Sequence, residues 1–263
     1  MAEVKFLIYR GDKGQGELKE YTVEVDPGMV VLDVVHRVQA EQAGDLAVRW
    51  NCKAGKCGSC GAEVNGKPKL MCMTRMDELD TSKPVTIEPM KRFPHTRDLV
   101  ADVSFNYQVN QRIKPFAPPA GLKGGAFRFQ QYDIDRIQEF HKCLECFLCQ
   151  DVCHVMRDHG KGDFAGPRFM IRLASLAMHP LDTENRLRDI KDEFRIGYCN
   201  ITKCCTEVCP EEIHITDNGI IPLKERVVDR FYDPILWIGR KLAGKIVRTK
   251  TLKELEAEKG GKR

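Results

Sequence analysis

Residues 143–154 read Cys143-Leu144-Glu145-Cys146-Phe147-Leu148-Cys149-Gln150-Asp151-Val152-Cys153-His154, four cysteines separated by two, two and three residues. A tight loop with this spacing offers three thiolates to one cubane iron–sulfur cluster and a fourth to a neighbouring cluster. Downstream, Cys199, Cys205 and Cys209, followed by Pro210, occupy positions one, three and four of the same frame. Position two is Thr202, so one thiolate is missing. In paired clusters the fourth cysteine of each run ligates the other cluster. That rule assigns Cys143, Cys146, Cys149 and Cys209 to a [4Fe–4S] cluster. Cys153, Cys199 and Cys205 then supply only three thiolates, and a cubane without one corner ligand loses that iron, so a [3Fe–4S] cluster is the expected occupant. Two complete cubanes would need a further ligand. Cys204 is the candidate, but its adjacency to Cys205 predicts a side chain that diverges from the cluster and a structural role. His141, His154 and His159 lie nearby and are read as solvated or hydrogen-bonding groups.

A third group stands upstream: Cys52-x4-Cys57-x2-Cys60, completed by Cys72. This is the loop of a plant-type [2Fe–2S] ferredoxin. Gly55, Gly58 and Gly61 are interspersed, which lets the backbone wrap closely and aim its N–H groups at the sulfurs. A zinc knuckle is the competing reading, disfavoured because zinc sites draw on paired C-x2-C units. Around this loop the chain reads as α+β. Val4–Arg10 and Leu18–Val25 alternate as a hairpin about a Gly11–Gly16 turn, and residues 30–42 carry helical apolar spacing. Strand-like pieces follow near Ala62–Val64 and Val85–Pro89. That order is the order of a β-grasp ferredoxin. A connecting helix is expected over Phe93–Val103, and a Pro/Gly-rich linker spans Pro115 to Gly125. Helices are then expected over Ile134–His141, Phe169–Met178, Glu184–Lys191 and Ile220–Arg230. The expected organisation is a β-grasp plant-type ferredoxin domain over residues 1–106, an all-α bacterial dicluster ferredoxin-like domain over 107–245, and a charged tail over 246–263.

Composition removes several alternatives. At 263 residues with 42% apolar residues the chain can build ordinary cores, so its twelve cysteines are not needed as disulfide staples. A net charge of +4 with interleaved signs gives no bias toward nucleic acid. No apolar run approaches the roughly 18 residues of a membrane span. Met1-Ala2-Glu3-Val4-Lys5-Phe6 enters a strand pattern without a leader, so a chain retained where it is made, in a reducing compartment, is expected.

One plant-type loop, a linker and a dicluster run lacking one ligand together resemble the iron–sulfur subunits of succinate dehydrogenase and fumarate reductase. The resemblance covers about residues 3–240 and includes Arg49-Trp50-Asn51-Cys52, Phe93-Pro94 with Arg97-Asp98-Leu99, and Gly166-Pro167. It implies a flavoprotein partner holding FAD, one or more membrane anchors with or without haem b, and a quinone, either menaquinone or ubiquinone. It also implies that electrons pass along three clusters and that this chain carries no acid–base catalyst of its own. It places such a chain peripherally on the cytoplasmic face of a bacterial inner membrane. Residues at the family's quinone-proximal positions here are His154, Asp158, Asn200 and Thr202, where relatives carry proline, tryptophan and histidine at the first three. Lys53, Lys56, Lys67 and Lys69 form a basic rim at the first loop, read as a docking surface or a solvated edge. Residues 232–246 read as a helix packed on the core, with contact to the anchor as the alternative. A free-standing multi-cluster electron carrier and the electron-transfer subunit of another reductase remain open at this point.

Overall fold

The computed structural model describes residues 2–121, 128–160 and 162–243. Strand β1 (Ala2–Asp12) pairs antiparallel with β2 (Gln15–Val25) along its full length, Ala2 opposite Val25 and Asp12 opposite Gln15. The turn is only Lys13-Gly14, with φ of 48° and 82°. It is shorter than the glycine spacing predicts, because Gly11 and Gly16 face each other as paired strand residues. Positive φ at both central positions gives the turn whose twist matches the flanking strands. Helix α1 (Val31–Glu41) buries Val31, Leu32, Val34, Val35 and Val38, while the Asp33 carboxylate accepts the Val30 N–H at its start.

Strand β5 (Val85–Glu88) runs parallel to β1, and β3 (Gly61–Val64) lies antiparallel between β5 and β4 (Lys67–Leu70). Phe6, Ile8, Val85 and Ile87 are fully buried and form the centre of this first core. The helix expected over Phe93–Val103 is not formed. The segment makes two short strands, β6 (His95–Arg97) and β7 (Val100–Ala101). The reason lies in Asp98, whose buried carboxylate accepts from Gly11 N–H, Arg10 Nε and Ala47 N–H and pins the segment to the end of β1. Helix α2 (Ser104–Arg112) begins only afterwards, with Asp102 accepting the Ser104 N–H. Residue 106 falls inside α2, and Val109 on the same helix already belongs to the second core.

The second half of the chain is helical: α3 (Gln131–Gln138), α4 (Leu148–Asp151), α5 (His154–Arg157), α6 (Pro167–Ala177), α7 (Leu187–Asp192), α8 (Cys204–Glu207), α9 (Ile221–Phe231) and α10 (Pro234–Ala243). Helix α6 supplies most of the second core through Phe169, Met170, Ile171, Leu173 and Ala174. The charged helix expected from Glu184 starts three residues late. Asp182 and Arg186 are paired at 2.6 Å with side chains 1% exposed, and Arg186 also donates to the Lys114 and Pro115 carbonyls. Those bonds hold residues 182–186 as a loop that ties down the start of the Pro/Gly-rich segment. Helix α10 also departs from expectation: Ile235 is 78% exposed and Ile238 50%, so this face does not pack on the core. The side chains of Trp237, Arg240 and Lys241, the glycine-rich linker residues 122–127, and the tail 246–263 lie outside the described residues.

The two halves share a seam. Cys146, Phe147 and Leu148 of the helical half are buried in the first core. Glu63 on β3, fully buried, pairs with Lys91 at 3.1 Å and with Arg157 of α5 at 2.9 Å. Asp151 accepts the Arg92 N–H at 2.9 Å.

Candidate metal centres

The loop from Cys52 to Cys60 is shaped by three residues of positive φ, Lys53 at 56°, Gly55 at 65° and Gly58 at 67°. Alternation of this kind turns successive N–H groups toward one concave face, a nest suited to anionic sulfur. The N–H groups of Ala54 and Lys56 each lie 3.3 Å from Cys52 Sγ. Those of Cys52 and Cys72 point at the sulfurs of Cys57 and Cys60, each at 3.5 Å. The four cysteines of the first group are therefore brought together. Partial burial works against ionisation of Cys57, but N–H donors of Cys52 and Ser59 and the Ser59 hydroxyl bring it down to about 6. Burial pushes Cys60 up to about 12. Lys53 Nζ sits 4.8 Å from the Trp50 ring, and Lys56 pairs at 3.8 Å with Glu211 of the helical half. Half of the basic rim is thus engaged within the chain.

The other cysteines divide between two cavities. Cys143, Cys146, Cys149 and Cys209 line one. Cys153, Cys199, Cys204 and Cys205 line the other. Each cavity takes thiols from both cysteine runs. The backbone repeats as well: Glu145 and Phe147 after Cys143, and Ile201 and Lys203 after Cys199, all adopt φ between 56° and 66°. For Ile201 this is a costly conformation, since a β-branched residue is disfavoured at positive φ. Two loops of one shape thus cradle the two cavities.

Burial raises the thiols here, Cys146 and Cys205 to about 12, Cys153 to about 11, and Cys149 well above its ordinary value. Such groups ionise only when a metal supplies the compensating charge. Among the described residues no group of three or more His, Cys, Asp or Glu side chains is placed to hold a single metal ion. Arg168 adds a second indication of fit. It is 5% exposed on the wall of the first cavity, pairs with Glu145, and leaves its Nε without a partner. A buried guanidinium there complements the net negative charge of a thiolate-bound cluster. Sequence spacing contains no signal for it, because Arg168 lies outside the cysteine runs, on a helix that also carries an exposed Arg172.

At the second cavity, Cys204 corrects the expectation that its side chain diverges. Residue 203 is left-handed, and α8 begins with Cys204 and Cys205 both on the wall that faces Cys153 and Cys199. Thr216, presented by a π-helical turn (Ile215–Ile220), places Oγ1 3.5 Å from Cys205 Sγ. His154 lines the rim, with Nε2 2.7 Å from Asn200 Nδ2 and Nδ1 3.4 Å from Thr202 Oγ1. Asp158 ends α5 and does not line this cavity. His159 stacks edge-on against His154, and His141 lines neither cavity.

A carboxylate joins the segments that carry Cys143 and Cys209. Glu139 accepts from the His214 N–H at 2.7 Å, from His214 Nδ1 at 2.6 Å and from Asn218 Nδ2 at 2.6 Å. Burial opposes its charge, yet these donors hold its pKa below the usual carboxylate value. A depressed acid stabilises the fold above its unfolded pKa of about 4.3 and loses that contribution as pH falls. Glu139→Gln is expected to lower the melting temperature at neutral pH by the equivalent of about 1–2 kcal/mol. From about pH 5 down through the lowered folded pKa, the wild-type melting temperature is expected to fall more steeply than that of the variant.

Residues 5–108 match the family model of a 2Fe-2S iron-sulfur cluster binding domain, and residues 139–213 that of a 4Fe-4S dicluster domain. Among solved structures, the chain is similar to one from the Mycobacterium smegmatis Sdh1 complex in the apo form. The identity is 62% and the TM-score 0.87, covering 89% of this chain and 98% of that one. It is 31% identical over 206 residues to the fumarate reductase iron-sulfur subunit of Mycobacterium tuberculosis, covering 73% of this chain and 79% of the relative. It is also 28% identical over 215 residues to an uncharacterized iron-sulfur protein of Methanococcus maripaludis, of whose length it spans 42%.

Proposed function

The chain belongs to the iron–sulfur subunits of succinate dehydrogenase and fumarate reductase, and from that premise we propose that it is the electron wire of a membrane-bound succinate:quinone oxidoreductase. When bound, the [2Fe–2S], [4Fe–4S] and [3Fe–4S] clusters supply one-electron carriers between FAD in a flavoprotein partner and quinone at a membrane anchor, in either direction. The residues of this chain hold, space and tune them. Cys52, Cys57, Cys60 and Cys72 hold the first cluster, in a β-grasp domain spanning 1–106. Cys143, Cys146, Cys149 and Cys209 hold the second, and Cys153, Cys199 and Cys205 the third, in a helical domain spanning 107–245.

The observation that carries this reading is the exchange of thiols between the two runs, with the first loop abutting the first cavity. A Cβ on Gly58 would stand 2.7 Å from Cys146 Cα, so the loop of one centre touches a ligand position of the next backbone to backbone. The rim of the second cavity supports a quinone-proximal role for His154, Asn200 and Thr202. Asp158, off that rim, has weaker support. Among the described residues no helix is long and apolar enough to cross a membrane. Exposed Ile235, Leu236 and Ile238 on α10 support docking against an anchor chain at the cytoplasmic face of a bacterial inner membrane.

The test is anaerobic purification of the native assembly, followed by stepwise reduction monitored by electron paramagnetic resonance. The expected result is co-purification of a flavoprotein and a membrane chain, with an oxidised-state three-iron signal that disappears on mild reduction before a [2Fe–2S] signal grows. A chain that purifies alone, or that carries zinc without acid-labile sulfide, overturns the assignment.

A further inference from the structure

The frame that pairs the two cysteine runs leaves the second cavity one thiolate short, at Thr202. The cavity itself is not short of thiols. Cys204, two residues on, lines the same cavity as Cys153, Cys199 and Cys205. Its Sγ lies 3.6 Å from Thr202 Oγ1 and 3.9 Å from His154 Nδ1, contacts that a metal bond would outcompete. The left-handed turn at Lys203, φ 65°, brings this thiol to the side of the cavity where the frame lacks a ligand.

We propose that Cys204 is a reserve fourth ligand, through which the three-iron centre takes up a ferrous ion and becomes a cubane. The inference rests on the ligand sets assigned under Proposed function. The step balances from the reduced centre: [3Fe–4S]⁰ + Fe²⁺ + Cys204–SH gives [4Fe–4S]²⁺ bound by Cys204–S⁻, and a proton leaves to solvent. One Fe–S(thiolate) bond forms, Fe²⁺ also binds three sulfides of the open face, and no outside electron is needed. The reverse returns a proton to Cys204, releases Fe²⁺ and restores [3Fe–4S]⁰. The cubane gains a thiolate and with it a different potential, since cluster type and net charge set that quantity. Iron supply would thereby decide whether the last carrier before quinone matches its partners.

The experiment uses the whole complex, reduced anaerobically and incubated with isotopically enriched ferrous ammonium sulfate, then freed of unbound iron by gel filtration. Label content is read by mass spectrometry, the label's environment by Mössbauer spectroscopy, and the three-iron signal by electron paramagnetic resonance after mild reoxidation. Wild type is expected to take up a stoichiometric amount of label in a sulfur environment and to lose most of its three-iron signal. Cys204→Ser and Cys204→Ala are expected to take up none and keep that signal in full. An unchanged [2Fe–2S] signal certifies that each variant is folded. A wild-type complex that already lacks the three-iron signal as purified, while Cys204→Ser shows it, supports the same conclusion. If wild type takes up no label, or the variants take up as much as wild type, Cys204 is not a ligand and the inference falls. If neither wild type nor variant shows any cluster attributable to this cavity, the ligand assignment itself has failed.

Discussion

Cys209→Ser is expected to abolish the [4Fe–4S] signal of the complex while leaving the three-iron signal intact, and Cys153→Ser to do the reverse. The contrast is sharp because proximity in sequence predicts the opposite. Cys209 lies four residues from Cys205 and Cys153 four from Cys149, yet each lines the cavity of the distant run. Loss of either centre opens a gap in a linear path, so succinate-dependent quinone reduction should fall by at least about a hundredfold. Substitutions of groups merely supporting a metal ligand already cost 10–100-fold in affinity or activity. Flavin-dependent oxidation of succinate by an artificial acceptor should persist if the acceptor takes electrons upstream. If Cys209→Ser removes the three-iron signal instead, the exchange of thiols is wrong and each run serves its own cluster.

Gly58→Val is expected to slow electron transfer between the first two centres while leaving every cysteine in place. A Cβ at this position would stand 2.7 Å from Cys146 Cα and 2.9 Å from Cys146 N, both backbone atoms that cannot move aside, and φ there is +67°. Forcing a β-branched residue into the left-handed region costs about 1–3 kcal/mol, and overpacking a close contact costs a similar amount. The loop must therefore lift from the helical half. Electron tunnelling decays exponentially with separation, so the readout is kinetic: slowed reduction of the [4Fe–4S] centre after the [2Fe–2S] centre in a stopped reaction. The [2Fe–2S] signal should keep its intensity, since the loop's own donors remain. Normal transfer in a complex of unchanged melting temperature would show that this contact does not set the spacing.

The cysteine spacing made the grouping of thiols legible, because cluster ligation demands particular residue types at particular intervals. The β1–β2 hairpin, α1, β5 and α6 were legible for a related reason: each has a clear apolar period of 2 or 3.6. What escaped was structure determined by single long-range bonds. Asp98 converts an expected helix into β6 and β7 by bonding three partners from elsewhere in the chain. The Asp182–Arg186 pair shortens α7 in the same manner. Arg168 was invisible because its value lies in being buried beside thiols that are only brought near by the fold. Spacing does not place Cys204 either: adjacent residues on a helix are expected to diverge, yet the cavity at the first turn of α8 is lined by both Cys204 and Cys205.

The interleaving of the two runs has a consequence for how the protein is made. A nascent chain that has emerged only through residue 198 contains three walls' worth of the first cavity but a single thiol of the second. Neither site closes until the segment through Cys209 has been synthesised and has folded back. Iron and sulfide delivered earlier would meet an open three-cysteine cup, exposed to oxygen and prone to capture the wrong metal. Maturation of the helical half therefore waits until both runs have been synthesised and have folded together.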